Sequence, residues 1–490
     1  MKAYLSKSKF LKGLQCHKSL WLHKHEPELV SPPEESQQAI FDTGTEVGLL
    51  ARNLFPDGKE IIFKEGSFTK KIKQTRELIE NGAETIYEAT FTHNNVLAMV
   101  DILHKGIRGW ELYEVKSSTG VTDIYISDLS VQYYVLSGCE LPISKTSLIY
   151  INNQYVKYGE LNIKELFCIT ELINKIEENQ GFVEDQLSEM NEILMGKCPG
   201  IDIGNHCDTP YPCDFKDHCW SHVPEYSIFN IKRLNTSKKF ELYYKGILAL
   251  SDIPDDYDLS SGQRLQVVSE LTNKVVINKK AIKEFLDGIY YPLYFLDFET
   301  FMPAVPIFDG THPYQQVPFQ YSLHVLESKS AELKNYEFLA KEGIDQREEL
   351  IKRLTSKIPD KACILTYNMT FEKRILRELS EQFPSYKDKL MSIHENIVDL
   401  MAPFQKKDYY TKEMKGSYSL KFVLPALVPE CSYEGMAISD GGVAMNTYAT
   451  LHLIEDKKEV EQIRKDLLEY CKLDTFAMVK LLNKLEEVIK

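Results

Sequence analysis

Residues 293–300 read LYFLDFET, and this stretch decides the fold of the second half of the chain. It is apolar apart from its acids and Thr300, which is typical of a strand buried on both faces of a sheet. Asp297 and Glu299 are two residues apart, so their side chains lie on one face of the strand. Apolar strands alternate with amphipathic helices from about residue 289 onward, which predicts an α/β domain over residues 289–490.

A second pair of strands stands in the first half of the chain. Residues 96–103 read VLAMVDIL and residues 110–116 read WELYEVK, with a turn around Gly106 between them. Alternation places Glu114 and Lys116 on one face of the later strand, and a hairpin brings Asp101 beside them.

This hairpin has a chemical interpretation and a plain one. Two carboxylates can hold Mg²⁺ or Mn²⁺. The ammonium of Lys116 can then orient water and stabilise charge on a phosphate. The plain interpretation is a surface hairpin whose polar face happens to be charged. Glu88 on the preceding strand-like segment, and Gln132 on a helix that could close over the site, favour the chemical one.

Composition sets the broad class. The 490 residues are 43% apolar and 27% charged, as in a soluble globular protein of two or three domains. We expect domains at 1–224 and 289–490, joined by a small helical connector at 225–288. No apolar run approaches the ~20 residues that cross a bilayer, so we expect a cytoplasmic protein without membrane contact. The net charge of −14 argues against coating nucleic acid by phosphate neutralisation alone.

The second half offers further metal ligands. Glu372 opens a helix after the strand-like residues 362–367, so its carboxylate can point back toward the strand ends. Tyr470 and Asp474 are four residues apart on a predicted helix and share a face. Asp399, at the end of another short strand, is an additional candidate. Together with Asp297 and Glu299, these acids suit two bridged metal ions.

The cysteines are clustered. Four of the ten lie within residues 198–219, while Cys16 stands far upstream. Thiols in a reducing compartment indicate metal ligands rather than disulfides. No C-x₂-C knuckle of the kind usual for zinc occurs, although His206 or His218 could complete a zinc site. Iron–sulfur clusters tolerate wider spacing, and unliganded thiols remain the third alternative.

The order of acids in the first half resembles the PD-(D/E)xK nucleases of the RecB-like type. The resemblance implies a mixed sheet flanked by helices that hydrolyses phosphodiester bonds with divalent metal. It implies metal ligation by Glu88, Asp101 and Glu114, and catalysis by Asp101, Glu114, Lys116 and Gln132. The chain departs from the pattern at Gly48, where many relatives carry a metal-binding histidine.

The cysteine arrangement is similar to that of RecB-like nucleases with an iron–sulfur cluster, including those of CRISPR adaptation. In such proteins one cysteine ahead of the nuclease core joins three after it. The resemblance therefore assigns a [4Fe–4S] cluster to Cys16, Cys207, Cys213 and Cys219. Cys198 is left over, although it could replace one of the four.

The second half resembles the DEDD exonucleases of the ribonuclease H-like fold, in the subtype with a tyrosine before the last aspartate. Asp297 and Glu299 match the first motif, residues 368–372 the second, and Tyr470 with Asp474 the third. The departure is Glu372, where most relatives have aspartate. Ser417 and Lys421 match a segment that could contact phosphate.

These resemblances together predict a bacterial protein with two nuclease domains. The C-terminal domain is expected to trim 3′ ends in the 3′-5′ direction, and the N-terminal domain to cut DNA. Both centres are expected to use Mg²⁺ or Mn²⁺, with nucleic acid as the partner, DNA favoured and RNA possible. The alternative is an iron–sulfur adaptor that binds nucleic acid with one or both centres inactive.

Overall fold

The structure is a computed structural model that describes residues 5–32, 35–62 and 67–490. The chain forms two compact units, both α/β. The first comprises Met1–His222 and Ala304–Tyr314, and the second comprises Val223–Pro303 and Gln315–Lys490. Residues 225–288, which we expected to form a connector, therefore lie within the second unit.

The first unit is built on a mixed sheet. Within the described residues it has seven strands, in the order β2-β3-β4-β5-β6-β7, with β1 pairing in parallel with β4. The strands are β1 Leu5–Ser6, β2 Lys59–Glu60, β3 Thr85–His93, β4 Val96–Lys105, β5 Trp110–Lys116, β6 Ile143–Ile151 and β7 Phe167–Glu171.

The predicted hairpin is confirmed. Strands β4 and β5 are antiparallel, with Ile102 opposite Tyr113, so the next pair along the register brings Asp101 opposite Glu114. Strand β6 then runs parallel to β5 on its other side.

Helices cover both faces of this sheet. They are α1 Lys7–Gln15, α2 His17–His25, α3 Glu35–Ala51, α4 Phe68–Glu80, α5 Asp123–Gly138, α6 Ile163–Leu166, α7 Ile173–Glu178, α8 Gln180–Met195 and α9 Lys216–Trp220. Leu112 of β5 packs into a core with residues of α1, α5 and α8. Tyr113 and Val115 pack into the opposite core with Val47 of α3. Glu114 and Lys116 alternate with Tyr113 and Val115, so they face α1 and α5.

The second unit has a five-stranded mixed sheet in the order β11-β10-β9-β12-β13. Its central strand β9 is antiparallel to β10 and parallel to β12. The strands are β9 Leu293–Phe301, β10 Val317–Leu326, β11 Lys334–Leu339, β12 Cys363–Thr366 and β13 Ile397–Asp399. A separate two-stranded ribbon pairs β8 Val276–Ile277 with β14 Tyr409–Tyr410.

The helices of the second unit are α10 Thr236–Tyr244, α11 Ser261–Thr272, α12 Lys279–Asp287, α13 Arg347–Thr355, α14 Met369–Gln382, α15 Lys387–Glu395, α16 Ala402–Gln405, α17 Leu420–Leu427, α18 Gly441–Thr450 and α19 Lys457–Ile489. Most of them pack around this sheet, while α10 and α11 share a separate small core within residues 226–267. None of the helices in the described residues is long and apolar enough to cross a membrane.

Helix α19 is fixed over the sheet by a buried polar seam. Gln320 of β10 donates to the Leu467 carbonyl at 2.8 Å. Farther along, the Thr475 hydroxyl lies 2.7 Å from the Ser322 hydroxyl and 2.8 Å from the His324 ring. Because buried polar atoms are costly to leave unpaired, these bonds fix the helix at one register. The seam thereby determines where the side chains between Leu467 and Thr475 lie.

Candidate functional site

Four carboxylates meet above the middle of the second sheet, and we call them the second centre. They come from β9 (Asp297 and Glu299), the first turn of α14 (Glu372) and α19 (Asp474), as the sequence predicted. Glu299, Glu372 and Asp474 are each less than a tenth exposed. Such burial of carboxylates is rare unless each has a counter-charge or a bound metal.

The pKa shifts record this crowding. Burial raises the pKa of Asp297 well above its ordinary value, and Asp474 raises it further. Burial also raises the pKa of Glu299, with added repulsion from Asp297, Asp474 and Glu372. Burial and the charge of Asp297 raise the pKa of Glu372 well above its ordinary value. For Asp474, burial raises the pKa to about 6, while hydrogen bonds from tyrosines oppose the shift.

The residues of this centre fit divalent metal ions. The Oε2 atom of Glu372 is buried and has no hydrogen-bond partner. Ligand atoms of Asp297, Glu299 and Cys471 all lie within 4.8 Å of one another, and this is the one such group of three or more among the described residues. Oxygen-rich sites of this kind suit Mg²⁺ or Mn²⁺, whose charge would replace the protons that burial favours.

Two side chains of the second centre belong to none of the sequence motifs that predicted it. The Tyr433 hydroxyl donates to Oδ1 of Asp474, and its ring lies 5.9 Å from that of Tyr470. The Cys471 thiol lies 3.5 Å from Oδ2 of Asp297. Cys471 follows Tyr470 and is three residues before Asp474, so a helical-face argument could have found it. Tyr433 lies on an irregular segment that gives no periodic signal.

Asp399 has a positioning role in this structure. Its Oδ1 accepts from the backbone N–H of Asn368 at 3.1 Å and of Met401 at 3.0 Å. Asn368 has a left-handed backbone (φ 79°) and caps the helix that carries Glu372. Asp399 therefore holds the turn that aims Glu372. Of the two predicted phosphate contacts, Lys421 lies 3.5 Å from Asp440, and the Ser417 hydroxyl bonds that of Ser419.

The predicted residues of the hairpin also converge, and we call them the first centre. Glu114 is 2% exposed, and its oxygens accept from Lys116 at 2.7 Å and from Gln132 at 2.8 Å. Asp101 accepts from the backbone N–H of Val115 at 2.7 Å. Three of the four predicted side chains thus form one network around Glu114, with Asp101 on the neighbouring strand.

Two unpredicted residues complete the first centre. The ammonium of Lys7, at the start of α1, lies 2.8 and 2.9 Å from the two oxygens of Glu114. Asp128 of α5 accepts from Lys116 at 2.7 Å and from Gln132 at 3.0 Å. Asp128 is four residues before Gln132, a spacing that places both on one helical face.

The first centre contains its own counter-charges. Burial alone would lower the pKa of Lys7, but the carboxylates of Glu114, Asp128 and Asp101 hold it above its ordinary value. Burial would raise the pKa of Glu114, yet Lys116 and Lys7 hold it below its ordinary value. Asp101 has no such ammonium bond, and burial together with Glu114 raises its pKa to about 7.

This arrangement does not fit a metal ion. The two oxygens of Glu114 accept four hydrogen bonds, from Lys7 to both oxygens and from Lys116 and Gln132 to one each. The third predicted ligand, Glu88, is paired with Arg52 at 3.1 Å and has a left-handed backbone (φ 58°). Metal ligation by these acids stays a prediction that the geometry does not support.

Gly48, where many RecB-like relatives carry a histidine, lies in α3. A Cβ atom at this position would meet no atom within 4 Å, so crowding at the Cβ does not explain the glycine.

The four predicted cluster cysteines come together. Cys16, Cys207, Cys213 and Cys219 line one cavity, whereas Cys198 is exposed and does not line it. Gln15 donates to the carbonyls of His206 and Tyr211, both at 2.7 Å, and so joins α1 to the cysteine-rich segment.

The ligand atoms of this cavity are farther apart than those of a closed zinc site. Sulfur ligands placed tetrahedrally 2.3 Å from zinc lie about 3.8 Å apart. Within the described residues, no three Cys, His, Asp or Glu ligand atoms of this cavity lie within 4.8 Å of one another. A [4Fe–4S] cluster on these four cysteines stays a prediction.

We expect cysteine substitutions to distinguish the predicted cluster ligands from Cys198, which lies outside the cavity. Replacing Cys16, Cys207, Cys213 or Cys219 by alanine should remove most of the ~4 iron atoms per chain, because each supplies one thiolate. Cys198→Ala is the matched control and should keep the iron and the visible absorption. Iron content and spectra of protein purified without oxygen measure this. A zinc-loaded, colourless wild type would contradict the assignment.

We expect Glu114→Gln to destabilise the metal-free protein by about 3 kcal/mol, the lower end for breaking a buried ion pair. The substitution leaves Lys7 and Lys116 without their shared counter-charge. Chemical denaturation in EDTA measures the effect, with the exposed Glu184→Gln as control. A neutral or stabilising effect would contradict this ion pair and indicate that the Glu114 carboxylate is a metal ligand.

We expect Asp297→Asn to stabilise the metal-free protein, whereas Glu114→Gln destabilises it. Removing one of four repelling acids should raise the melting temperature at pH 8 by about 2–4 °C, as for roughly 1 kcal/mol in a domain of this size. Mn²⁺ should stabilise the wild type but not the variant. The exposed Asp388→Asn should behave as wild type. A lower melting temperature in Asp297→Asn would be incompatible with this arrangement.

The same carboxyls set a pH trend. Groups whose folded pKa is raised bind protons more tightly in the folded state, so their stabilisation is complete below about pH 4. This stabilisation is lost as the pH rises through the pKa values of the folded state, about 6 for Asp474. Thermal unfolding in EDTA should therefore show falling stability from pH 4 to 8, and Mn²⁺ should offset the fall.

Comparison with known proteins gives similarity to proteins without an assigned function. A family described as "Domain of unknown function (DUF2779)" matches residues 294–419, which include Asp297, Glu299 and Glu372. The "Uncharacterized protein MG366 homolog" of Mycoplasma pneumoniae is 28% identical over 38% of this chain and 31% of its own length. "Uncharacterized protein MG366" of Mycoplasma genitalium is 26% identical over 40% of this chain and 32% of its own. The chain thus spans about a third of the length of these curated relatives.

Proposed function

We propose that the second unit is a metal-dependent phosphodiester hydrolase that trims 3′ ends of nucleic acid and releases nucleoside monophosphates. One observation carries the proposal: three buried carboxylates and the half-buried Asp297 converge with an orphaned oxygen, and no ammonium or guanidinium of the described residues is bonded to them. A folded protein keeps such repulsion where bound metal offsets it. The 3′-5′ direction rests on the resemblance to DEDD exonucleases.

The chain's own residues divide the work. Asp297, Glu299, Glu372 and Asp474 would hold the metal ions. Bound metal would activate a water molecule and stabilise the leaving oxygen. Burial raises the pKa of Tyr470 far above neutrality, so its phenol stays protonated. Tyr470 therefore orients the attacking water through hydrogen bonds and does not take its proton.

Tyr433 has a different task. Its hydroxyl donates to Asp474, and burial raises its pKa, so it too stays protonated. A hydrogen bond of this kind fixes the orientation of a metal-binding carboxylate. We assign Tyr433 to positioning Asp474 and Tyr470 to positioning water.

For the first unit we propose a non-hydrolytic role, binding nucleic acid as an iron–sulfur module. The observation that favours it is that Lys7, Lys116 and Gln132 together donate four hydrogen bonds to the two oxygens of Glu114, which occupy its acceptor sites. DNA cutting by this unit is the competing proposal, because Asp101, Glu114, Lys116 and Gln132 stand in the expected order.

We expect Asp297→Asn to reduce Mn²⁺-dependent release of nucleotides from end-labelled single-stranded DNA and RNA by at least about a thousandfold, because one of the four carboxylates that would hold metal is lost. Tyr470→Phe should lower kcat with little change in Mn²⁺ affinity. Tyr433→Phe should weaken Mn²⁺ binding about 10–100-fold. Lys116→Ala should leave every product unchanged.

Gel analysis of 3′- and 5′-labelled substrates and Mn²⁺ titration measure these effects. Intact substrate under all conditions would refute the hydrolase. Products lost only in Lys116→Ala would restore the competing proposal for the first unit.

A further inference from the structure

A basic pocket lies on α14, next to the second centre. It is formed by residues 368–371 at the start of the helix, by three cations on the following turns, and by one residue of α15. The four charged or titratable members are Lys373, Arg374, Arg377 and His394. The pocket is open and measures about 560 Å³, which lies within the usual range for ligand sites.

The cations of this pocket form no ion pairs with the described residues. Across the described residues, no carboxylate lies within ion-pair distance of Lys373, Arg374 or Arg377, although many other lysines and arginines are paired. Arg374 bonds the side-chain amide of Gln316, and its Nε atom is buried with no partner. In a chain of net charge −14, three unpaired cations in one pocket indicate an anionic ligand.

Two further features point the same way. The guanidinium of Arg374 lies 5.7 Å from the ring centre of Phe371, which is half-buried at the pocket wall. Aromatic and guanidinium planes of this kind stack on nucleobases. The Nδ1 atom of His394 is buried and has no hydrogen-bond partner. Burial and the charges of Lys373 and Arg377 lower the pKa of His394, which reports a positive field in the pocket.

The pocket residues Lys373, Arg374 and Arg377 lie on the same helix as Glu372. Five residues separate Glu372 from Arg377, or about 7.5 Å along a helix axis. Arg377 is also about 140° around the helix from Glu372, so the two side chains lie on different faces of α14. The carboxylate of Glu372 is buried toward the sheet, while Lys373 and Arg377 line the open pocket.

We propose that this pocket binds the sugar–phosphate backbone of single-stranded nucleic acid, outside the second centre and on the same strand that the second centre hydrolyses. The proposal deepens the proposed function and rests on it for the meaning of the site. Lys373 and Arg377 would contact phosphates, while Phe371 would stack on a base. Since none of these groups reads a base edge, binding should be independent of sequence.

The test measures binding without hydrolysis. Full-length Asp297→Asn protein is titrated against fluorescein-labelled 12-mers of deoxythymidine and of uridine, in EDTA, from 50 to 400 mM salt. Into this background we place Lys373→Ala/Arg377→Ala. The matched control is Lys361→Ala/Lys465→Ala, which removes two exposed cations elsewhere in the second unit.

We expect the pocket variant to bind both 12-mers at least tenfold more weakly at 100 mM salt. Its plot of log affinity against log salt should be shallower by about 1.4, since each lost contact to a single strand contributes about 0.7. The control pair should change neither. An unchanged affinity in the pocket variant, an equal loss in both pairs, or no binding by the parent would each overturn the proposal.

Activity separates this result from the proposed function. In the otherwise wild-type chain, Lys373→Ala/Arg377→Ala should raise KM for the 12-mers at least tenfold. It should leave Mn²⁺-dependent hydrolysis of the 4-nitrophenyl ester of thymidine 5′-monophosphate unchanged, because that ester has no neighbouring backbone. Failure of the hydrolase would abolish both reactions and leave the binding test intact. A loss of ester hydrolysis in the pocket variant would show damage to the second centre and refute a backbone role.

Discussion

The repulsion among four crowded carboxylates is the constraint on which the second unit depends. The half-buried Asp297 and the buried Glu299 lie on the central strand, and Glu372 and Asp474 are brought to them by two helices. The fold keeps this cost because other contacts over-determine the positions. The polar seam at Thr475 fixes α19, and Asp399 fixes the turn before Glu372. A rigid frame around an unfavourable centre is what a preorganised metal site requires.

The two centres solve the same electrostatic problem in different ways. Around Glu114 two lysine ammoniums provide the positive charge, so the network is satisfied by the chain alone. Around Asp297 no ammonium or guanidinium of the described part of the chain is bonded, and the carboxyls must hold protons or metal. Similar acidic patterns in a sequence can therefore mark a self-contained network or a site that needs an ion. The difference lies in which cations the fold brings to them.

Much of the fold and of both centres could be predicted from local patterns. Alternation places Glu114 with Lys116 and Asp297 with Glu299, and helical spacing places Tyr470 with Asp474. Such rules act within one element, so they say nothing about partners from distant segments. Lys7 is 107 residues from Glu114, and Tyr433 is 41 from Asp474, and neither distance leaves a periodic trace. Lys373, Arg374 and Arg377 can be read from the sequence, but only the tertiary fold shows that no acid of the described residues pairs with them.

Helix α1 joins two sites of the first unit through one short rod. It begins at Lys7, on the oxygens of Glu114, and its C-cap is Cys16, beside the other cluster cysteines. Nine helical residues span only about 13 Å, and so short a helix moves as a rigid body. The cysteine cavity and the acidic network of the first centre thus lie at the two ends of one short helix, so a substitution that moves α1 changes the surroundings of both Cys16 and Lys7.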